Sequence, residues 1–108
     1  MEAFGRADLE ARLRAAGRAY LEFVRSAELS AGLYVLPAGG IDGQSPHTED
    51  EVYVVLRGRA RIAVGAEDAP VGPGSVVFVG AGVDHRFHDI EEDLSVVVVF
   101  APPEGSRG

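Results

Sequence analysis

The chain has 108 residues, 46% of them apolar and 25% charged, which bounds it to one globular domain with one core and excludes a disordered or collagen-like chain. Its formal charge is −7 and every basic residue is arginine, which excludes a nucleic-acid backbone or an anionic membrane surface as the main partner, together with lysine Schiff-base and phosphate-loop chemistry. Cysteine is absent, so disulfides, thiolate catalysis and iron–sulfur clusters are excluded too, and His, Asp, Glu and Tyr remain for chemistry, with or without a metal.

The first ten residues, MEAFGRADLE, carry acids and lack the apolar core of a signal peptide, and no apolar run approaches the roughly 18 residues that span a bilayer; the expected location is the cytoplasm. Residues 7–16, ADLEARLRAA, place Leu9 and Leu13 four apart among good helix formers, with Gly17 just past the end, and predict one short helix. From Tyr20 onward, short apolar or alternating runs separated by Gly, Pro and Asp predict an all-β domain. The expected strands are YLEFVR, AGLYVLPA, EVYVVL, RARIAV, SVVFV, DHRFHDI and LSVVVVF, with AGGIDG, RGR, GAEDAPVGPG and VGAGVD as turns. In the third run Glu51, Tyr53 and Val55 share one face and Val52, Val54 and Leu56 the other. Leu94 to Phe100 is apolar nearly throughout, so it is expected to be covered on both faces, in two packed sheets, a filled barrel or a subunit contact.

One stretch, SPHTEDEVYVVLRG, sets a histidine and three acids before an apolar run. If the run is a strand, His47 and Glu51 lie on one face, and GVDHRFHDI supplies His85 at the start of another strand after a glycine-rich turn. Two imidazoles and one carboxylate with open positions are the donor set of non-haem iron and related metal enzymes. Tyr53 and Phe87 share the parity of Glu51 and His85 and are candidates for a pocket lining. His88 and Arg86 read as outward-facing, and Glu49, Asp50, Glu91, Glu92 and Asp93 as solvated loop charges.

These residues resemble the cupin family, whose first motif is matched in spacing from Gly39 through Ser45, His47 and Glu51 to Gly58, with Ser45 where the family has its first histidine. In the second motif Gly74, Gly82 and His85 match, Gly80 stands where proline is usual and Asp89 where asparagine is usual. The resemblance implies a double-stranded β-helix, or jelly-roll barrel, and with the helix read above the expected organisation is residues 1–18 a helical extension, 19–101 the barrel and 102–108 a flexible tail. It implies a divalent transition metal (Fe, Mn, Ni, Cu or Zn) on His47, Glu51 and His85, with Gln44 or a water as an additional ligand beside Ser45. The resemblance implies a metal-binding small-molecule cupin, a class that includes dioxygenases, isomerases, decarboxylases and lyases, and of these a dioxygenase-type oxidoreductase is the first expectation. The alternative is a non-catalytic metabolite-binding or sensor cupin with a structural or absent metal. The apolar outer faces, the helix and the first strand are expected to form a homodimer contact. No residue is assigned a catalytic role.

Overall fold

The alternation of short β-branched runs and turn residues folds into a computed structural model that describes residues 1–44 and 46–107. Ser45, and with it the question of what replaces the first motif histidine, lies outside the described residues, as does Gly108. Among the described residues the elements run α1 (Arg6–Ala16), β1 (Tyr20–Arg25), β2 (Ser30–Leu36), β3 (Asp50–Arg57), β4 (Ala60–Val64), β5 (Glu67–Val71), β6 (Val76–Val79), β7 (His85–His88) and β8 (Leu94–Ala101). A five-stranded sheet in the order β1-β2-β8-β3-β6 faces a three-stranded sheet in the order β5-β4-β7, and every strand pair is antiparallel.

Strand β8 is the spine of the larger sheet, paired along its length with β2 on one side and β3 on the other. Its even-numbered residues Leu94, Val96, Val98 and Phe100 enter the core between the sheets, where Tyr53, Val55, Ile62, Val79 and Phe87 meet them. On its opposite face Val97 joins a second cluster in which helix α1 lays Leu9 and Leu13 on Leu33. Burial of a leucine side chain contributes about 2 kcal/mol, so this pair fastens the helix to the sheet. The apolar faces expected to form a subunit contact are thus partly covered by the chain's own helix. Helix α1 stops where expected: Gly17 takes a left-handed conformation and its N–H reaches the carbonyl of Arg14.

Two expectations are corrected. Residues 67–71, read as part of a turn, form β5; the stretch EDAPV lacks β-branched alternation and pairs on one side only, with β4, as an edge strand that tolerates Pro70. Glu49, read as a solvated loop charge, is 1% exposed and accepts hydrogen bonds from the Thr48 hydroxyl and the Gly105 N–H. The residues after β8 lie against the barrel as far as they are described: Pro103 is buried, and the Glu104 N–H donates to the Ser30 hydroxyl at 2.9 Å. Their charged and glycine-rich composition gave no sign of these partners, because all of them lie far away in sequence.

Candidate metal centre

His47 precedes β3, Glu51 points inward from β3 in the larger sheet, and His85 points inward from the first residue of β7 in the smaller one. Backbone bonds bring the two histidine segments together: the Gly82 N–H donates to the carbonyl of His47 at 2.7 Å, and the Ala81 N–H donates to the Asp50 carboxylate at 2.9 Å. Gly82 has φ +77°, so the turn delivering His85 uses the left-handed conformation that glycine adopts without strain. Gly58, closing the first motif between β3 and β4, is also left-handed (φ +95°), and a Cβ there would collide with the carbonyl of Asp93.

The result is a cluster in which one ligating atom from each of His47, Glu51 and His85 lies within 4.8 Å of the others. Nδ1 of His47 is 2.9 Å and Nε2 of His85 is 3.3 Å from the same Glu51 oxygen. Nδ1 of His85 lies 2.8 Å from the carbonyl oxygen of Val83, which can only accept, so Nδ1 donates there and Nε2 is the nitrogen turned toward Glu51. The other Glu51 oxygen is buried with no hydrogen-bond partner among the described residues. A buried carboxylate with one idle oxygen is costly unless a cation joins it. This donor set fits a divalent transition metal, and the three residues can hold one.

Beside the cluster lies a cavity of about 180 Å³ lined by Tyr20, Tyr34, Tyr53, Phe100, Val98, Gln44, His47 and Glu104. His47 reaches its wall. Tyr53 lines it, its hydroxyl 3.1 Å from Nε2 of His85. Phe87 does not line it; its ring packs edge-on behind Tyr53, 5.0 Å between centroids, in the core. Gln44, named above as an additional ligand, instead accepts from the Tyr53 hydroxyl at 3.1 Å and donates to Asp42 at 2.7 Å. His88 turns outward, as expected, to Asp68 at 2.6 Å.

Charge and burial shape the cavity. Burial first, and then the charge of Glu51, pushes the Tyr53 phenol far up, so it remains a proton donor. The Tyr20 phenol is raised by burial and then by Glu104, and the Tyr34 phenol by burial and its hydrogen bond to Asp42. Burial raises the Glu104 carboxyl against the opposing influence of His47, whose Nε2 is 3.3 Å from it.

Sequence reasoning missed Asp42, Tyr20, Tyr34 and Glu104. Buried Asp42 pins the loop before β3 by accepting from the Tyr34 hydroxyl and the Phe87 N–H. Its place within GGIDG looked like ordinary turn chemistry. Tyr20 and Tyr34 are directly paired across β1 and β2, a relation visible only once the register is known.

Residues 32–100 match the family described as Cupin domain. An uncharacterised protein of Streptomyces coelicolor is 56% identical over 104 residues, covering 96% of this chain and 99% of its own length. A crystal structure of a protein from Thermus thermophilus is similar at a TM-score of 0.74, with 28% identity, 95% of this chain covered and 99% of that one. The DMSP lyase DddQ of Ruegeria pomeroyi is similar at a TM-score of 0.66 and 27% identity over 70% of this chain, which spans 39% of the lyase.

Proposed function

The chain belongs to the cupin family and has its double-stranded β-helix fold, and from that premise we propose that it binds one divalent transition metal through His47, Glu51 and His85 and acts on a small organic molecule in the adjoining cavity. The observation that carries this reading is the convergence of those three ligating atoms within 4.8 Å, with an idle buried carboxylate oxygen among them. Fe, Mn, Ni, Cu and Zn all suit imidazole and carboxylate donors. When bound, such a metal supplies a Lewis acid with open positions that orients and polarises a substrate.

The chain's own residues set the rest of the chemistry. Tyr53 holds its proton beside His85 and can donate it as a hydrogen bond toward the cavity. The Tyr20 hydroxyl is buried over Gly32 and has no hydrogen-bond partner among the described residues. Aromatic rings and Val98 narrow the cavity against water. The two-histidine, one-carboxylate donor set supports a dioxygenase-type oxidoreductase. The second reading, a non-catalytic metabolite-binding or sensor cupin, is favoured by the Tyr53 hydroxyl, which already engages Nε2 of His85.

Elemental analysis of untagged protein, followed by oxygen uptake with a panel of small metabolites, tests both. An equimolar transition metal with substrate-dependent oxygen consumption is expected. Binding without turnover gives the second reading, and absence of metal from protein grown and purified with each of the five ions overturns the metal site. A cytoplasmic location and a homodimer belong to the same proposal. No helix among the described residues is long and apolar enough to cross a membrane, and exposed Val76 and Phe78 on edge strand β6 offer a subunit contact. A monomeric mass by light scattering at micromolar concentration would remove the dimer.

A further inference from the structure

The polar groups around the cavity are already spent on one another. The Tyr34 hydroxyl donates to Asp42 at 2.7 Å, the Tyr53 hydroxyl to the Gln44 amide oxygen at 3.1 Å, and the Gln44 amide nitrogen to Asp42 at 2.7 Å. What these tyrosines still offer a ligand is ring surface. Tyr20 and Tyr34 stand edge-on, 6.5 Å between centroids and inclined by 65°, and His47 and Phe100 are inclined by 58° at 4.8 Å. Neither pair is stacked flat, so neither hides its faces on the other, and all four rings line the cavity together with Tyr53.

The charged side chain on the same wall is Glu104. Its backbone is fixed by its own N–H, which donates to the buried Ser30 hydroxyl at 2.9 Å, and by the Gly105 N–H, which donates to the buried Glu49 carboxylate at 3.3 Å. The Glu104 side chain lines the cavity and is 34% exposed, so an entering molecule can reach it. The arginines that touch this segment are engaged elsewhere. Arg25 donates to the Glu22 carboxylate at 3.0 Å and to the Glu104 carbonyl at 3.2 Å, and Arg107 donates to the carbonyl of Thr48 at 2.9 Å.

We infer that the cavity selects a small organic cation of the alkylated ammonium class, its charged end held between the aromatic rings and the Glu104 carboxylate. A cation within about 6 Å of a ring centroid is drawn to the ring face, and more strongly where water is excluded. Alkylation of the nitrogen follows from the lining. A primary ammonium brings three N–H donors, whereas the Asp42 carboxylate already accepts from Tyr34, Gln44 and the Phe87 N–H, and the Gln44 oxygen from Tyr53. Alkyl groups instead meet Val98 and the rings. The inference rests on the reading that this cavity takes a small organic molecule, and not on the metal.

The test compares choline with neohexyl alcohol, its uncharged isostere with carbon in place of nitrogen, on the full-length protein, Glu104→Gln and Phe100→Leu. The chain has three tyrosines and no tryptophan, and all three tyrosines line the cavity, so tyrosine emission reports binding there while calorimetry gives the affinities. Physiological salt screens the net charge of −7. Choline is expected to bind about tenfold more tightly than the alcohol and to change the tyrosine emission. Glu104→Gln is expected to erase most of that preference with the affinity for the alcohol unchanged, and Phe100→Leu to reduce it. Equal or tighter binding of the alcohol, or a choline preference that Glu104→Gln does not alter, overturns the inference and leaves the small-molecule reading standing. Binding of neither probe overturns both. A choline preference in protein that elemental analysis finds free of metal supports the inference and removes only the metal. Should Phe100→Leu not fold, the comparison in Glu104→Gln decides.

Discussion

The phenol oxygen of Tyr53 lies 3.1 Å from Nε2 of His85. It lies equally far from the amide oxygen of Gln44, so one phenolic proton serves two acceptors. A metal on Nε2 would end that competition and leave the proton to Gln44. Tyr53→Phe is therefore expected to keep or tighten zinc binding while lowering the stability of the metal-free protein by about 1–2 kcal/mol, the cost of a buried acceptor left without its donor. Chelator competition and urea unfolding measure the two effects; a tenfold loss of zinc affinity would instead make the phenol a support for the ligand ring.

His47→Ala and His85→Ala are each expected to lose bound metal while remaining folded. A ligand present at a hundred times its dissociation constant stabilises the native state by about 2.7 kcal/mol, so added metal should raise the melting temperature of the wild-type protein and not of either variant. The variants differ without metal. The His85 side chain is wholly buried, and its loss strands partners at a cost of about 1–3 kcal/mol, whereas the partly exposed His47 costs less. Because protonated imidazole cannot ligate, metal retention in the wild-type protein should also fall as pH drops through the histidine range, as dialysis and elemental analysis would show.

What could be read in advance follows from how far apart in sequence the interacting groups are. Alternation along 51–55 placed Glu51, Tyr53 and Val55 on one buried face, because the period of a strand is local and two residues suffice to define it. His47 and His85 were legible as partners through the resemblance of the stretches around them to the two cupin motifs. Glu104 and Glu49 were not, since an isolated acid in a loop has the same composition whether it faces water or a site far along the chain. Strand β5 was missed for a related reason: what makes EDAPV a strand is the facing edge of β4, not its own side chains.

That strand carries its own pH signature. Asp68 of β5 accepts from Nε of Arg61 at 2.7 Å and meets Nε2 of His88 at 2.6 Å, and the Arg61 hydrogen bond first, with His88, holds its carboxyl below the ordinary value of 3.8. A carboxyl depressed in the folded state binds its proton more tightly when unfolded. Its stabilising contribution is therefore complete above pH 3.8 and is lost as pH falls through the lower folded value. Asp68→Asn should lower the urea midpoint at pH 6, with the difference closing as the medium is acidified below the ordinary carboxylate range. The pair is exposed, so the effect is small and should shrink further in high salt. A difference that persists unchanged at acid pH would assign it to packing of β5 instead of charge.

The cavity owes its wall to a residue with no side chain. Gly32 sits in the middle of β2 opposite Val98 of β8, and the ring and hydroxyl of Tyr20 occupy the place a Cβ there would take. Gly32→Ala must push Tyr20 aside, and overpacking of this kind costs about 1–3 kcal/mol. Because the clash is with one side chain, removing that side chain should relieve it: Tyr20→Ala combined with Gly32→Ala is expected to be less destabilised than the sum of the single changes, with a coupling of about 1 kcal/mol or more. Urea unfolding of the four proteins supplies the cycle. Strict additivity would show that the alanine is accommodated without moving Tyr20, and the cavity wall would then be softer than the packing over Gly32 implies.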